Sequence, residues 1–247
     1  MKTAFVTGAS SGFGQASARA LCKNGYVVAA MARRGERLRA LKDELGENLI
    51  CLECDVRDKD ALNRAIGGLD ERFKSLDVLV NNAGLALGQE RFSEASIDDF
   101  DVMIDTNIKG LVYVTKALLP AIIKARGYIF NLGSVAGVHP YPGANVYGGT
   151  KAFVRQLSLN LRNDLTGTGV RVTNIAPGIA KTEFSQVRFK GDEAKSSAVY
   201  ERTKYLSAED IARIITDCLA LPEHVNINEL EVMATTQTWA GFAIERE

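Results

Sequence analysis

The sequence predicts a single α/β domain: a doubly wound, seven-stranded parallel sheet with helices on both faces. Short apolar runs alternate with amphipathic segments of helical period from the first residues onward. The runs are apolar throughout rather than at every second residue, as in strands covered on both sides. No linker, repeat or low-complexity tract divides the 247 residues, a length that suits one large domain.

The elements follow in order. Thr3 to Thr7 reads as a buried strand, and Gly12 to Asn24 as its helix, stopped before Gly25. Tyr26 to Met31 is the second strand, and Glu36 to Leu45 a helix closed by Gly46. Leu49 to Cys54 is the third strand, and Asp58 to Lys74 its helix. Val78 to Asn81 is the fourth strand; Ser96 to Lys124 then reads as one long helix, its last part bent by Pro120. Tyr128 to Leu132 and Val146 to Leu165 make the fifth strand and its helix, and Val170 to Ile175 the sixth strand. Ala208 to Leu221 is a late helix, and Glu229 to Met233 the seventh strand. Residues 181–205 break the alternation: they are polar and charged, with Phe184, Phe189, Tyr200 and Tyr205 scattered among them. An insertion after a strand end is expected to serve as a lid over the substrate.

Lysines plus arginines equal aspartates plus glutamates at 30 each, so net charge exerts no general pull toward nucleic acid or a membrane surface. No apolar run approaches the roughly 20 residues that span a bilayer. The N-terminal apolar run is too short for a signal peptide and leads straight into a glycine motif, so a cytoplasmic protein is expected. Cys51 and Cys54 form a Cys-x-x-Cys pair, but no second pair completes a metal site, and only His139 and His224 supply imidazoles. On a strand these two thiols project to opposite faces, so no metal is expected.

After the first strand comes Thr7-Gly8-Ala9-Ser10-Ser11-Gly12-Phe13-Gly14, opening a helix. A pyrophosphate needs close backbone approach, free N–H groups and the positive end of a helix, which glycines in this setting supply. The context at the start of a βαβ unit points to dinucleotide binding and a Rossmann fold. A site for NAD places an acid about 20 residues further on. Here the second strand ends Met31-Ala32-Arg33-Arg34, with no acid. Guanidinium groups pair with a 2′-phosphate that a carboxylate would repel, so NADP(H) is expected, held by Arg33 and Arg34.

Tyr147 and Lys151 are four residues apart, on one face of a helix. A phenol with a pKa near 10 is a poor base at neutral pH, and a neighbouring ammonium stabilises the phenolate. The pair suits proton exchange with a substrate oxygen during hydride transfer. Ser134 lies 13 residues upstream of Tyr147, just past the fifth strand, where it either bonds the substrate oxygen or forms a local turn.

Taken together these motifs resemble the short-chain dehydrogenase/reductase family. They run Thr7-Gly8-(three residues)-Gly12-Phe13-Gly14, Asn81-Asn82-Ala83-Gly84, Asn107, Ser134, Tyr147, Lys151, and Pro177-Gly178 followed by Thr182. The resemblance implies that Ser134 orients the carbonyl, Tyr147 is the acid/base and Lys151 also holds the nicotinamide ribose. It implies that Asn107 steadies a water in a proton relay and that Asp55 and Val56 contact the adenine. Asn82, Ala83 and Gly84 would line the cofactor, and Pro177, Gly178, Ile179 and Thr182 would hold the nicotinamide amide. Segments such as Met103-Ile104-Asp105-Thr106-Asn107 and Val187-Arg188-Phe189-Lys190-Gly191-Asp192 look like the bacterial NADP-dependent 3-hydroxy acid dehydrogenases, which act on serine and allo-threonine. Bacterial sulfoacetaldehyde reductases, which form isethionate, look similar too. Two departures border the substrate end: a short Pro177–Thr182 segment, and His139 before Pro140.

All these substrates are small hydroxy or carbonyl compounds with an anionic head, which requires a fixed cation or several N–H donors. Arg188 and Lys190 are the candidates; the competing reading leaves both as solvated loop charges. A non-catalytic NADP(H)-sensing regulatory protein is the alternative of another class, and it would not need Asn107, Ser134, Tyr147 and Lys151 together. The resemblance also implies a homotetramer packed through the two long helices, with the apolar stretch Trp239 to Ile244 covered by a neighbour.

Overall fold

The computed structural model describes residues 1–239. The apolar C-terminal stretch expected to meet a neighbouring copy therefore lies, apart from Trp239, outside the described residues. Strands β1 (Lys2–Thr7), β2 (Tyr26–Ala32), β3 (Leu49–Glu53), β4 (Val78–Asn81), β5 (Tyr128–Leu132), β6 (Arg171–Pro177) and β7 (Glu229–Val232) form one sheet in the order β3-β2-β1-β4-β5-β6-β7. Every neighbouring pair is parallel. The order reverses between β1 and β4, where an open α/β sheet leaves a crevice at its carboxyl edge.

Helices α1 (Gly12–Lys23), α2 (Gly35–Leu45), α3 (Lys59–Gly67), α4 (Ile97–Ile104), α5 (Leu111–Ala125), α6 (Asn145–Asp164), α7 (Phe184–Arg188), α8 (Glu193–Ala198) and α9 (Ala208–Leu219) connect the strands. Alternate strand residues feed two cores. Val6, Val28, Val80 and Phe130 pack under α1, α2 and α9, through side chains such as Leu21, Leu38 and Ile211. Phe5, Ala29, Leu79 and Ile129 pack on the other face against Leu62 of α3, Val114 and Leu118 of α5, and Leu161 of α6. The same alternation sends Cys51 to the first core and Cys54 to the second. No helix among the described residues is long and apolar enough to cross a membrane.

Two expected helices are broken. The one read from Asp58 to Lys74 stops at Gly67, where two glycines meet, and Asp70 caps a separate tight turn over Glu71–Lys74. The long helix expected over Ser96–Lys124 is interrupted, but not at Pro120, which sits inside α5. The interruption is a wide π turn over Asp105–Gly110, and it carries Asn107. At this turn a Cβ on Gly110 would lie 2.6 Å from the Val56 side chain, so glycine lets the helix approach closely. A π turn of this kind commonly marks a functional site. Residues 181–205 hold α7 and α8, and a bridge between Ala180 and Leu206 ties their base together.

A polar ladder crosses the sheet beneath α6. Asn81, Asn131, Asn174 and Glu229 are register partners on successive strands. Asn81 Nδ2 donates to Asn131 Oδ1 and to Thr115 Oγ1, both at 2.8 Å. Asn131 Nδ2 donates to Ser158 Oγ at 2.9 Å, and Arg155 Nε donates to Glu229 Oε1 at 2.7 Å. The helix is thus pinned at Ser158 and Arg155. Replacing Asn131 with Leu leaves buried donors and acceptors without partners, which costs about 1–3 kcal/mol each. Asn131→Leu is expected to lower the unfolding free energy, read from denaturant titration, by a comparable amount; a loss below about 0.5 kcal/mol would show the ladder to be dispensable.

Candidate active site

The carboxyl ends of the central strands border one cavity of about 640 Å³. Of the residues expected at the cofactor, Gly8, Ser10, Ser11, Gly12, Phe13, Arg33, Arg34, Asp55, Val56, Asn82, Ala83, Gly84, Pro177, Gly178, Ile179 and Thr182 line it. Ser134, Tyr147, Lys151 and Arg188 also line it. Thr7, Gly14 and Asn107 stand behind the wall and act through it. Thr7 Oγ1 accepts from the backbone N–H groups of Asn82 and Ala83, both at 2.9 Å, and so joins the glycine loop to the end of β4. A Cβ on Gly14 would lie 2.4 Å from the Gly8 carbonyl oxygen, so the loop closes only around glycine.

Gly8 and Gly12 take positive φ values of 65° and 52°, which turn the chain sharply into α1. Ser11 occupies the position before α1 without a capping side-chain bond, and no acid stands in the first turn. The first N–H groups of α1 therefore lack a side-chain partner, as an anion-binding helix terminus requires. This donor set fits a pyrophosphate.

Arg34 is already engaged: Nη1 reaches Glu183 at 2.9 Å, Nε reaches Ser10 Oγ at 3.2 Å, and Nη2 reaches Ser10 and Ser11 Oγ at 3.2 and 2.8 Å. Arg33 is exposed and makes no hydrogen bond or ion pair among the described residues. Asp55, expected at the adenine, pairs with Arg57 at 2.7 Å.

Tyr147 and Lys151 lie on the inner face of α6, and both are buried. Lys151 Nζ donates to the Leu132 carbonyl at 2.7 Å and stands 5.9 Å from the Tyr147 ring centre. Phe184 packs against that ring at 5.6 Å, and the Arg188 guanidinium lies over it, also at 5.6 Å. Burial pushes the Tyr147 phenol up to about 12, while the nearby Ser134 hydroxyl and the Arg188 charge pull it back. Burial brings the Lys151 ammonium down to about 8. The ring belongs to a small apolar cluster with Leu85, Phe100, Met103 and Ala136, which walls the reacting end.

Asn107, expected to steady a water in a proton relay, has its side chain engaged within the fold. Its Nδ2 donates to the Leu85 carbonyl at 2.8 Å and to Thr150 Oγ1 at 3.0 Å, and its Oδ1 accepts from Leu85 N–H at 2.9 Å. The side chain ties the π turn to α6 within one turn of Tyr147. Lys190 does not join the substrate end either: its ammonium pairs with Asp99 at 2.8 Å on the surface. Arg188 does join it, with Nε on the Gly88 carbonyl at 3.1 Å and Nη2 on Tyr141 Oη at 2.9 Å. Tyr141, Glu183 and Gln237 line the site without having been singled out in the sequence, and Phe184 was marked only as one of the aromatic residues of the insertion. Gln237 Oε1 accepts from Ile179 N–H at 2.7 Å, a contact across 58 residues that no local signal announces.

Burial of Lys151 has a consequence for stability. Its folded pKa of about 8 lies below the unfolded value near 10.4. Below about pH 8 the folded state carries the full cost of a buried cation. Between about pH 8 and 10.4 the unfolded chain binds more protons, so stability climbs with pH and the cost fades. Lys151→Met is thus expected to raise Tm at pH 7 by several degrees relative to the parent, the gain shrinking toward pH 10.4. A gap that stays constant across that range would contradict a buried, titrating ammonium.

A family model described as short chain dehydrogenase matches residues 2–193. An NADP-dependent 3-hydroxy acid dehydrogenase, YdfG, of Salmonella typhi is 54% identical over 243 residues, covering 98% of each chain. A serine 3-dehydrogenase of Agrobacterium fabrum is 49% identical over 245 residues, covering 99% of this chain and 98% of the relative. A solved structure, the closed form of serine dehydrogenase complexed with NADP+, superposes with a TM-score of 0.97 at 51% identity, over 99% of this chain and 100% of that one. On this family match, and on relatives about half identical over nearly the whole chain, the chain belongs to the short-chain dehydrogenase family and is an oxidoreductase acting on CH–OH groups.

Proposed function

We propose that this oxidoreductase uses NADP(H) to interconvert a small 3-hydroxy acid, such as serine, allo-threonine or 3-hydroxypropionate, and its carbonyl form. The observation that carries the proposal is the convergence of Ser134 and Arg188 on the Tyr147 phenol, at the far end of a nucleotide-sized cavity. The NADP-dependent hydroxy acid and serine dehydrogenases to which the chain is similar support both the cofactor and the substrate class.

When bound, the nicotinamide supplies or accepts the hydride. The residues of the chain manage the proton and the anion. In the reducing direction Tyr147 Oη gives its proton to the substrate oxygen, and in the oxidising direction it takes that proton back. The Ser134 hydroxyl donates to the same oxygen and holds it against the phenol. The positive charges of Lys151 and Arg188 favour the phenolate that remains. Arg188 Nη1 has no hydrogen-bond partner among the described residues, while Nε and Nη2 are anchored, so a fixed fork is presented to the substrate carboxylate. Phe184, brought by α7, covers the phenol and excludes water.

The same guanidinium would suit a sulfonate, so NADPH-dependent reduction of sulfoacetaldehyde to isethionate is the second reading; the names of the relatives favour the first. A homotetramer packed through α5 and α6 accords with the half-exposed apolar side chains of Ile123 and Phe153 on those helices.

Turnover on serine, allo-threonine, 3-hydroxypropionate, malonic semialdehyde and sulfoacetaldehyde, followed by nicotinamide absorbance, tests the assignment; activity confined to sulfoacetaldehyde, or none on any of them, would refute it. Tyr147→Phe is expected to lower kcat by about 10²–10⁴-fold with NADPH affinity retained. Arg188→Met is expected to raise KM for the acidic substrate at least about tenfold and to leave a neutral ketone nearly unaffected. Equal effects on both substrates would remove Arg188 from anion binding.

A further inference from the structure

We infer that Glu183 is a built-in competitor of the cofactor 2′-phosphate, a specificity-determining residue that holds down affinity for NADP(H). The inference rests on the reading of Arg34 as a partner of that phosphate. Glu183 stands between Thr182, which lines the cavity, and α7, whose Phe184 and Arg188 lie against Tyr147. Its carboxylate bridges two guanidinium groups, Arg34 at 2.9 Å and Arg37.

The donor count makes the competition concrete. A guanidinium has five N–H donors. Arg34 gives Nε and both donors of Nη2 to the hydroxyl oxygens of Ser10 and Ser11, and one donor of Nη1 to Glu183. One N–H is left. A phosphate carrying close to two negative charges gains most from two parallel donors on one guanidinium. Glu183 holds one donor of Nη1, the nitrogen that still has an N–H to spare, and its carboxylate also repels the phosphate at close range. Arg37 keeps Glu183 nearby even after Arg34 is released, so the repulsion persists in the complex. NADH lacks the phosphate and neither needs Nη1 nor suffers the added repulsion. Glu183 therefore acts on one cofactor and not on the other.

Removing the carboxylate while keeping its shape separates this from a role in preorganising Arg34, because the Ser10 and Ser11 hydroxyls still hold that side chain. Dissociation constants for NADPH and NADH, read by quenching of NAD(P)H fluorescence, are to be compared for the parent, Glu183→Gln, Glu183→Ala, Arg34→Met and the Arg34→Met/Glu183→Gln double variant. Both Glu183 variants are expected to bind NADPH about three- to tenfold more tightly, with no gain for NADH and a smaller gain in about 0.5 M KCl. In the Arg34→Met background the gain from Glu183→Gln is expected to shrink, since competition for Arg34 has gone. Unchanged or weaker NADPH binding in both Glu183 variants, with Arg34→Met still selectively weakening NADPH, would overturn the inference and leave the reading of Arg34 intact. If Arg34→Met weakened NADPH and NADH alike, Arg34 would not be the phosphate partner, and that reading would fall together with the inference.

Discussion

The lock between α6 and the sheet is the constraint on which the rest of the site depends. Tyr147 and Lys151 project from the first turns of α6, and Arg155 and Ser158 project from the same side further along it. Hydrogen bonds from Asn131 to Ser158 and from Arg155 to Glu229 fix the rotation and the axial position of the helix. Asn107 adds a third tie through Thr150, from the π turn on the neighbouring helix. A helix held only by apolar contact can slide or roll by a fraction of a turn at little cost. One held by directional bonds to three separate elements cannot, and a shift of about 1 Å at a reacting group is expensive in rate. The polar groups buried beneath α6 fix its position as well as contributing to stability.

The site is electrostatically uncomfortable when read on its own. Burial pushes the Tyr147 phenol up to about 12 and the Lys151 ammonium down to about 8, so each group is driven toward its neutral form. Acid/base exchange at the phenol needs cations close by. The chain supplies two from different directions: Lys151 from the same helix, and Arg188 from the insertion after β6. Because Arg188 is delivered by α7, the environment of the phenol and the grip proposed for a substrate anion depend on the same segment. Glu183, at the root of that segment, reaches the arginines at the opposite end of the cavity. One stretch of about six residues therefore touches both ends of the ligand site.

Much of this was legible in the amino-acid order. Continuous apolar runs marked the strands to within a residue or two, because a strand buried on both faces leaves a local signature. The glycine loop and the Tyr147–Lys151 pair were visible for the same reason: the groups that act together lie within a few residues of one another. The two misread helices show the limit of such signals. Helical periodicity continued through Gly67-Gly68 and through Asp105–Gly110, yet a glycine pair followed by a new cap ended one helix, and close packing on Val56 accompanied a π turn in the other.

By itself the sequence determined the layer order, the place of the nucleotide crevice, and the side chains able to carry protons and bind phosphate. Only the tertiary structure decided which charges are free to act. Arg188 and Lys190 are two residues apart and chemically alike, but one lies over the phenol and the other is paired with Asp99 on the surface. Arg33 and Arg34 are adjacent, but only Arg34 is held by Glu183, 149 residues away in the chain. The availability of a charge depends on partners brought close by folding, and neither the sequence spacing nor the chemistry of the residue itself carries that information.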